Sequence, residues 1–80
     1  MRLLIADDHP IFRKGLVEIL RNAFDNLIIL ECEKGYETIE KIRNEIPDIS
    51  IIDIDMPEIN GLDICKTVND EGIKTKIVIL

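Results

Sequence analysis

The 80 residues carry ten Lys and Arg against sixteen Asp and Glu, a net charge of −6 with a single His. A chain this short supports one domain at most, with a small core. With 46% apolar and 32% charged residues it is globular rather than disordered. Its acidity excludes a direct grip on a nucleic-acid backbone, which needs a basic stripe. The opening "MRLLIADD" is far short of a signal-peptide core or a membrane span, so the sequence reads as cytoplasmic with no membrane contact. Cys32 and Cys65 have neither CxxC nor metal-ligand spacing and read as buried thiols.

In chain order, "RLLIA" (Arg2 to Ala6) is a short apolar run that predicts a strand buried on both faces. "DDHP" follows, with Asp8 or His9 as cap and Pro10 in the first turn of a helix, where its missing N–H is no loss. Phe12, Leu16, Ile19, Leu20 and Ala23 recur at helical spacing, predicting an amphipathic helix over Pro10 to Phe24 with Arg13, Lys14, Glu18 and Arg21 on its wet side. "LIILEC" (Leu27 to Cys32) predicts a second strand. Tyr36, Ile39, Ile42 and Ile46 mark a second helix stopped by Pro47. "DISIID" (Asp48 to Asp53) is the third strand. After "IDMPEIN", Gly61 opens a shorter helix through Leu62, Cys65 and Val68 that ends by Gly72, and "KIVIL" (Lys76 to Leu80) is a fourth strand.

Strands alternating with helices imply βαβ units, hence an α/β fold with a parallel sheet. In open sheets of this kind ligands sit beyond the carboxyl ends of the strands, where strand order reverses. Asp7 and Asp8 follow the first strand and Asp53 closes the third, so the three acids converge if those strands are neighbours. Taken alone, the Asp pair is a solvated helix entry and "DIDMP" a turn fixed by Pro57 and Gly61. Together they repel one another unless a cation sits among them. Mg2+, which prefers hard oxygen ligands and keeps positions for water and a phosphoryl oxygen, is the natural guest. An aspartate beside such a metal can attack a phosphoryl group in line to give an acyl phosphate. His9 reads as a helix-entry residue at the pocket rim, and Met56 and Phe12 as packing. Arg13 and Lys14 near the same end read as a solvated face.

"LLIADD", "IIDIDMP", the glycine four residues after that proline (Gly61) and "KIVIL" together resemble the receiver domain of two-component response regulators, over all 80 residues. "ADDHPIFRKGLVEIL" looks like the NarL/FixJ (LuxR-type) branch, whose receivers usually precede a helix-turn-helix DNA-binding domain. The resemblance implies a flavodoxin-like sheet of strand order 2-1-3-4, truncated after the fourth strand, without the fourth helix, fifth strand and fifth helix. It makes residues 1–80 a partial receiver with no DNA-binding domain of its own. It implies Asp53 as the phosphoacceptor for a sensor histidine kinase, Asp8 as the principal Mg2+ ligand and Asp7 as a ligand through water. Asp55 would give its backbone carbonyl to the metal, its side chain not being required. The Thr or Ser after the fourth strand and the Lys ending the fifth, by which the family grasps the phosphoryl group, would follow Leu80.

Such a chain is a regulatory phosphoacceptor rather than an enzyme with turnover. An uncovered fourth strand and a sheet face covered by the first helix nearly alone favour a homo-oligomer. Two other readings remain open. In a phosphatase of the haloacid dehalogenase type, Asp53 is the nucleophile and Asp55 the general acid/base, but this leaves Asp7 and Asp8 unexplained. In a non-signalling interaction fragment, the carboxylates do no chemistry.

Overall fold

The computed structural model describes residues 1–80 as four strands and three helices in strict alternation: β1 (Arg2–Ala6), α1 (Pro10–Ala23), β2 (Ile28–Cys32), α2 (Gly35–Glu45), β3 (Ile49–Ile52), α3 (Gly61–Asp70) and β4 (Lys76–Ile79). All strand pairs are parallel, in the order β2-β1-β3-β4. β1 and β3 are therefore neighbours, with Ala6 opposite Ile52. The expected elements are all present, and the boundaries move by one or two residues.

Alternation along β1 divides the interior in two. Leu4 and Ala6 join Cys32, Ile39, Ile42, Ile52, Met56, Ile64 and Val68 in one buried cluster under α2 and α3. Leu3 and Ile5 point to the other face and are also buried. α1 is the one helix that packs there, against β1. This explains a departure from the expected pattern: no residue of α1 is fully buried, and Phe12 and Ile19 stay 53% and 65% exposed despite their helical spacing. Tyr36 and Ile46 of the second stripe are likewise exposed, because α2 buries only its Thr38, Ile39 and Ile42 side. Of the two cysteines, Cys32 is buried and Cys65 only half-buried. Burial pushes the Cys32 thiol up to about 11, so it stays protonated in the folded chain.

Two glycines fix the loop between β3 and α3. The N–H of Gly35 donates to the Pro57 carbonyl at 3.0 Å, and a Cβ on Gly35 would collide with the Ile59 side chain and lie 2.7 Å from its carbonyl oxygen. At Gly61 a Cβ would lie 2.6 Å from the Asp53 carbonyl oxygen. The loop is thus pressed between the starts of α2 and α3.

α2 ends on Ile46, which at φ 42° and ψ 65° is left-handed, and Pro47 prevents the helix from continuing. A β-branched residue there loses about 1–2 kcal/mol, and at 56% exposure Ile46 recovers little by packing. Ile46→Asn, a residue that tolerates this conformation, is expected to add about 0.5–1 kcal/mol of stability. The urea midpoint should rise at unchanged slope; a lower midpoint would show that the packing of Ile46 outweighs its strain.

Candidate functional site

The parallel ladders run one residue past the ends of the strands. The N–H of Asp53 donates to the Ala6 carbonyl at 2.9 Å, and that of Asp7 to the Cys32 carbonyl at 3.0 Å. Asp53 is accordingly the first residue after β3 rather than its last, but it is held as firmly as a strand residue. Asp7 lies beside it, at the carboxyl end of β1. The reversal of strand order falls between β1 and β3, where β1 feeds a helix on one face and β3 a helix on the other.

Asp7, Asp8, His9 and Asp53 each offer a ligand atom within 4.8 Å of the others. The Asp7 side chain is 7% exposed and that of Asp53 17%. Asp7 Oδ1 accepts the backbone N–H of His9 at 2.8 Å and lies 2.9 Å from His9 Nδ1. Asp8 Oδ1 is 3.1 Å from the same ring nitrogen and Asp53 Oδ2 is 3.7 Å away. A single N–H cannot serve all three. It is directed at Asp7, and Asp8 Oδ1 is left buried without a hydrogen bond. A buried, orphaned carboxylate oxygen facing two other carboxylates is what a hard divalent cation would satisfy, so the donor set fits Mg2+.

The sequence places His9 at the rim, and its ring is indeed 66% exposed, but its Nδ1 also faces all three carboxylates. The hydrogen bond to Asp7, then the charges of Asp8, Asp7 and Asp53, hold its pKa above the ordinary value of 6.5 against a smaller opposing effect of burial. As the N-cap of α1, His9 makes no side-chain capping bond.

Asp55 lies exposed in the turn after β3, and its carboxylate is not among the clustered groups. Its N–H donates to Asp53 Oδ1 at 3.2 Å, which orients the Asp53 carboxylate. This geometry disfavours an Asp-x-Asp phosphatase, because the acids that face Asp53 are Asp7 and Asp8. Met56 is buried beneath the turn as expected, whereas Phe12 lines the mouth of the cleft with Ile11 and Leu80.

Arg13 corrects an expectation. Instead of lying on a solvated face, its side chain is only 12% exposed, bonded to Glu31 and Glu33 at 2.9 Å each and to the Asp7 carbonyl at 2.6 Å. The sequence signal is faint: an Arg one turn into the helix matters only once β2 is known to bring Glu31 and Glu33 beside it.

Comparison with known proteins agrees with this geometry. The family model for the response regulator receiver domain matches residues 3–80. The nitrate/nitrite response regulator protein NarL of Escherichia coli strain K12 is 30% identical over 77 residues, 96% of this chain and 36% of that protein. The transcriptional activator protein ExaE of Pseudomonas putida is 36% identical over 63 residues, 79% of this chain and 29% of its own. A DNA-binding response regulator of the LuxR family from Staphylococcus aureus superposes with a TM-score of 0.90 at 25% identity, over 98% of this chain and 65% of that structure. The chain thus spans about a third of the length of these curated relatives. With the 2-1-3-4 parallel sheet and the acids at its reversal point, the chain belongs to the response regulator receiver domain family, alongside NarL- and LuxR-type two-component regulators.

Proposed function

We propose that Asp53 accepts a phosphoryl group from the phosphohistidine of a sensor histidine kinase, with Mg2+ held by Asp7, Asp8, Asp53 and the backbone carbonyl of Asp55. The observation that carries this reading is the meeting of three carboxylates, one of them with an orphaned buried oxygen, at the carboxyl ends of adjacent parallel strands. Bound Mg2+ would neutralise charge on the carboxylates and on the incoming phosphoryl oxygens. The rest follows from the chain. A carboxylate oxygen of Asp53 forms the bond to phosphorus while the bond from phosphorus to the donor breaks, and the leaving group departs with the electron pair. The Asp55 N–H holds Asp53 Oδ1, which fixes the carboxylate for attack. Asp7 and Asp8 hold the metal side of the site.

In this reading residues 1–80 are the partial receiver of a cytoplasmic regulator and bind no nucleic acid themselves. DNA contact would belong to an output domain, in keeping with relatives that are a transcriptional activator and a DNA-binding response regulator. No helix is long and apolar enough to cross a membrane. The outer edge of β4, with Val78 and Leu80 exposed, and the uncovered side of α1 favour self-association of this chain. A single monomeric species in sedimentation at moderate concentration would count against that part.

Incubation with Mg2+ and acetyl phosphate should add one phosphoryl group, lost in Asp53→Asn and in excess chelator. Asp8→Asn should raise the Mg2+ requirement on the order of tenfold or more, the loss of one charged contact. If the wild-type chain forms no Asp53-dependent acyl phosphate, the fragment has a scaffolding role only.

The raised pKa of His9 gives a second test. A folded-state pKa above the unfolded value means that the stabilisation is fully present below pH 6.5 and is lost as pH rises through the folded pKa. Without metal, the melting temperature should therefore fall as pH rises through and above 6.5. With saturating Mg2+ the divalent ion replaces the imidazolium, and the dependence should flatten or reverse. His9 is the sole histidine, so its ring protons report the pKa directly by NMR; a value that does not drop when Mg2+ is added would refute the exchange.

A further inference from the structure

We infer that Arg13 is a positioning residue for the carboxylate site, acting through the Asp7–Asp8 peptide without touching metal or phosphate. The inference deepens the phosphoacceptor reading and rests on its assignment of Asp7 and Asp8 to the metal side.

Arg13 sits one turn into α1, its N–H bonded to the His9 carbonyl at 3.0 Å. Its guanidinium spends each part of its fork on a different target. Nε donates to Glu31 Oε1 on β2, Nη2 to Glu33 Oε1 just after β2, and Nη1 to the carbonyl oxygen of Asp7 at 2.6 Å. The planar guanidinium fixes these three directions together. The Asp7 N–H is already tied to β2 through the Cys32 carbonyl, and its Oδ1 to the start of α1 through the His9 N–H. With the carbonyl held as well, the Asp7–Asp8 peptide plane loses its remaining freedom to rotate. Rotation of that plane would swing Asp8, whose Oδ1 has no hydrogen bond of its own to hold it. Arg13 thus does for Asp8 what outer-sphere partners do for metal ligands, fixing the aim of a group that must stay free for the cation. Its burial follows from the same geometry, since the cation is inserted between the end of β2 and the base of α1.

The test is a Mg2+ titration of the folded chain followed by the amide resonances of Asp8 and Asp53, alongside acetyl phosphate labelling. Arg13→Gln should raise the half-saturating Mg2+ concentration on the order of tenfold, while at saturating Mg2+ the labelling rate returns to within about threefold of wild type. Arg13→Lys keeps the charge but not the fork, and should give a smaller rise in the same direction; it also serves if Arg13→Gln does not fold. Arg43→Gln removes a comparable pair with Glu71, remote from the cleft, and should leave Mg2+ half-saturation unchanged. Folded Arg13 variants with wild-type Mg2+ affinity would overturn the role of Arg13 alone. A wild-type chain that shows no Mg2+-dependent shift at all would overturn the site reading, and this role with it.

Discussion

Everything in this chain is arranged around carboxylates that repel one another yet are held within a few ångströms. Asp7 and Asp53 cannot relax apart, because their backbones are extensions of the β1–β3 and β1–β2 ladders. Register makes this possible. With Ala6 opposite Ile52, both Asp residues emerge together from the same end of the sheet, and a slip of one residue would turn every side chain of β3 to the opposite face, burying Ile51 where Ile52 now packs. The hydrophobic pattern that seals the core therefore also aligns the acids.

The repulsion is met from two directions. Inside the cleft, the hydrogen bond to Asp7 and the charge of Asp8 raise the pKa of His9 above its ordinary value, which favours a proton among the acids. Outside it, Arg13 neutralises the acidic rim of β2 at Glu31 and Glu33 and grips the Asp7 main chain. These two residues have distinct chemical fates. An exposed imidazole can give up its proton, whereas a nearly buried guanidinium with three fixed partners keeps its charge and its place. The site thus sets a titratable ring beside a permanent cation.

The sheet was legible in the sequence because its strands are short, continuous apolar runs ending abruptly in acids or turns, and the helices because Pro10, Pro47 and Gly61 punctuate them. Burial was less legible. The α1 stripe of Phe12, Leu16, Ile19 and Leu20 has helical spacing, but spacing does not say how much sheet lies beneath, and α1 packs chiefly on β1. The meeting of Asp7, Asp8 and Asp53 was legible because each ends or follows a predicted strand and those two strands are neighbours. The role of Arg13 is not legible because its partners lie 18 and 20 residues away, on β2 and just after it, a proximity that depends on strand order rather than helical periodicity. The expected third strand runs one residue too far, to Asp53, because the ladder bond continues into Asp53 although the regular strand stops at Ile52.

The two faces of the sheet are built to different standards, and the site stands at their joint. Asp53 leads into the loop pressed against the sealed face, where Gly61 lies under its carbonyl and Gly35 bonds Pro57. The N–H of Tyr36 donates to Glu58 Oε1 at 3.3 Å in the same loop. Asp7 and Asp8 lead into α1 on the open face and are tied to it through His9 and Arg13. Turning the Asp53 carboxylate into an acyl phosphate would add about one net negative charge, and that charge would act on both connections at once. It would repel Asp7 and Asp8 across the cleft wherever a cation does not screen it, and would compete for the Asp55 N–H that serves Asp53 Oδ1. The sealed side resists because its loop is wedged against backbone at both glycines. The open side rests on a helix with no fully buried residue and on a few polar bonds. Under the proposed phosphoacceptor role, a change of charge at Asp53 would therefore meet less packing resistance on the α1 side than on the α3 side.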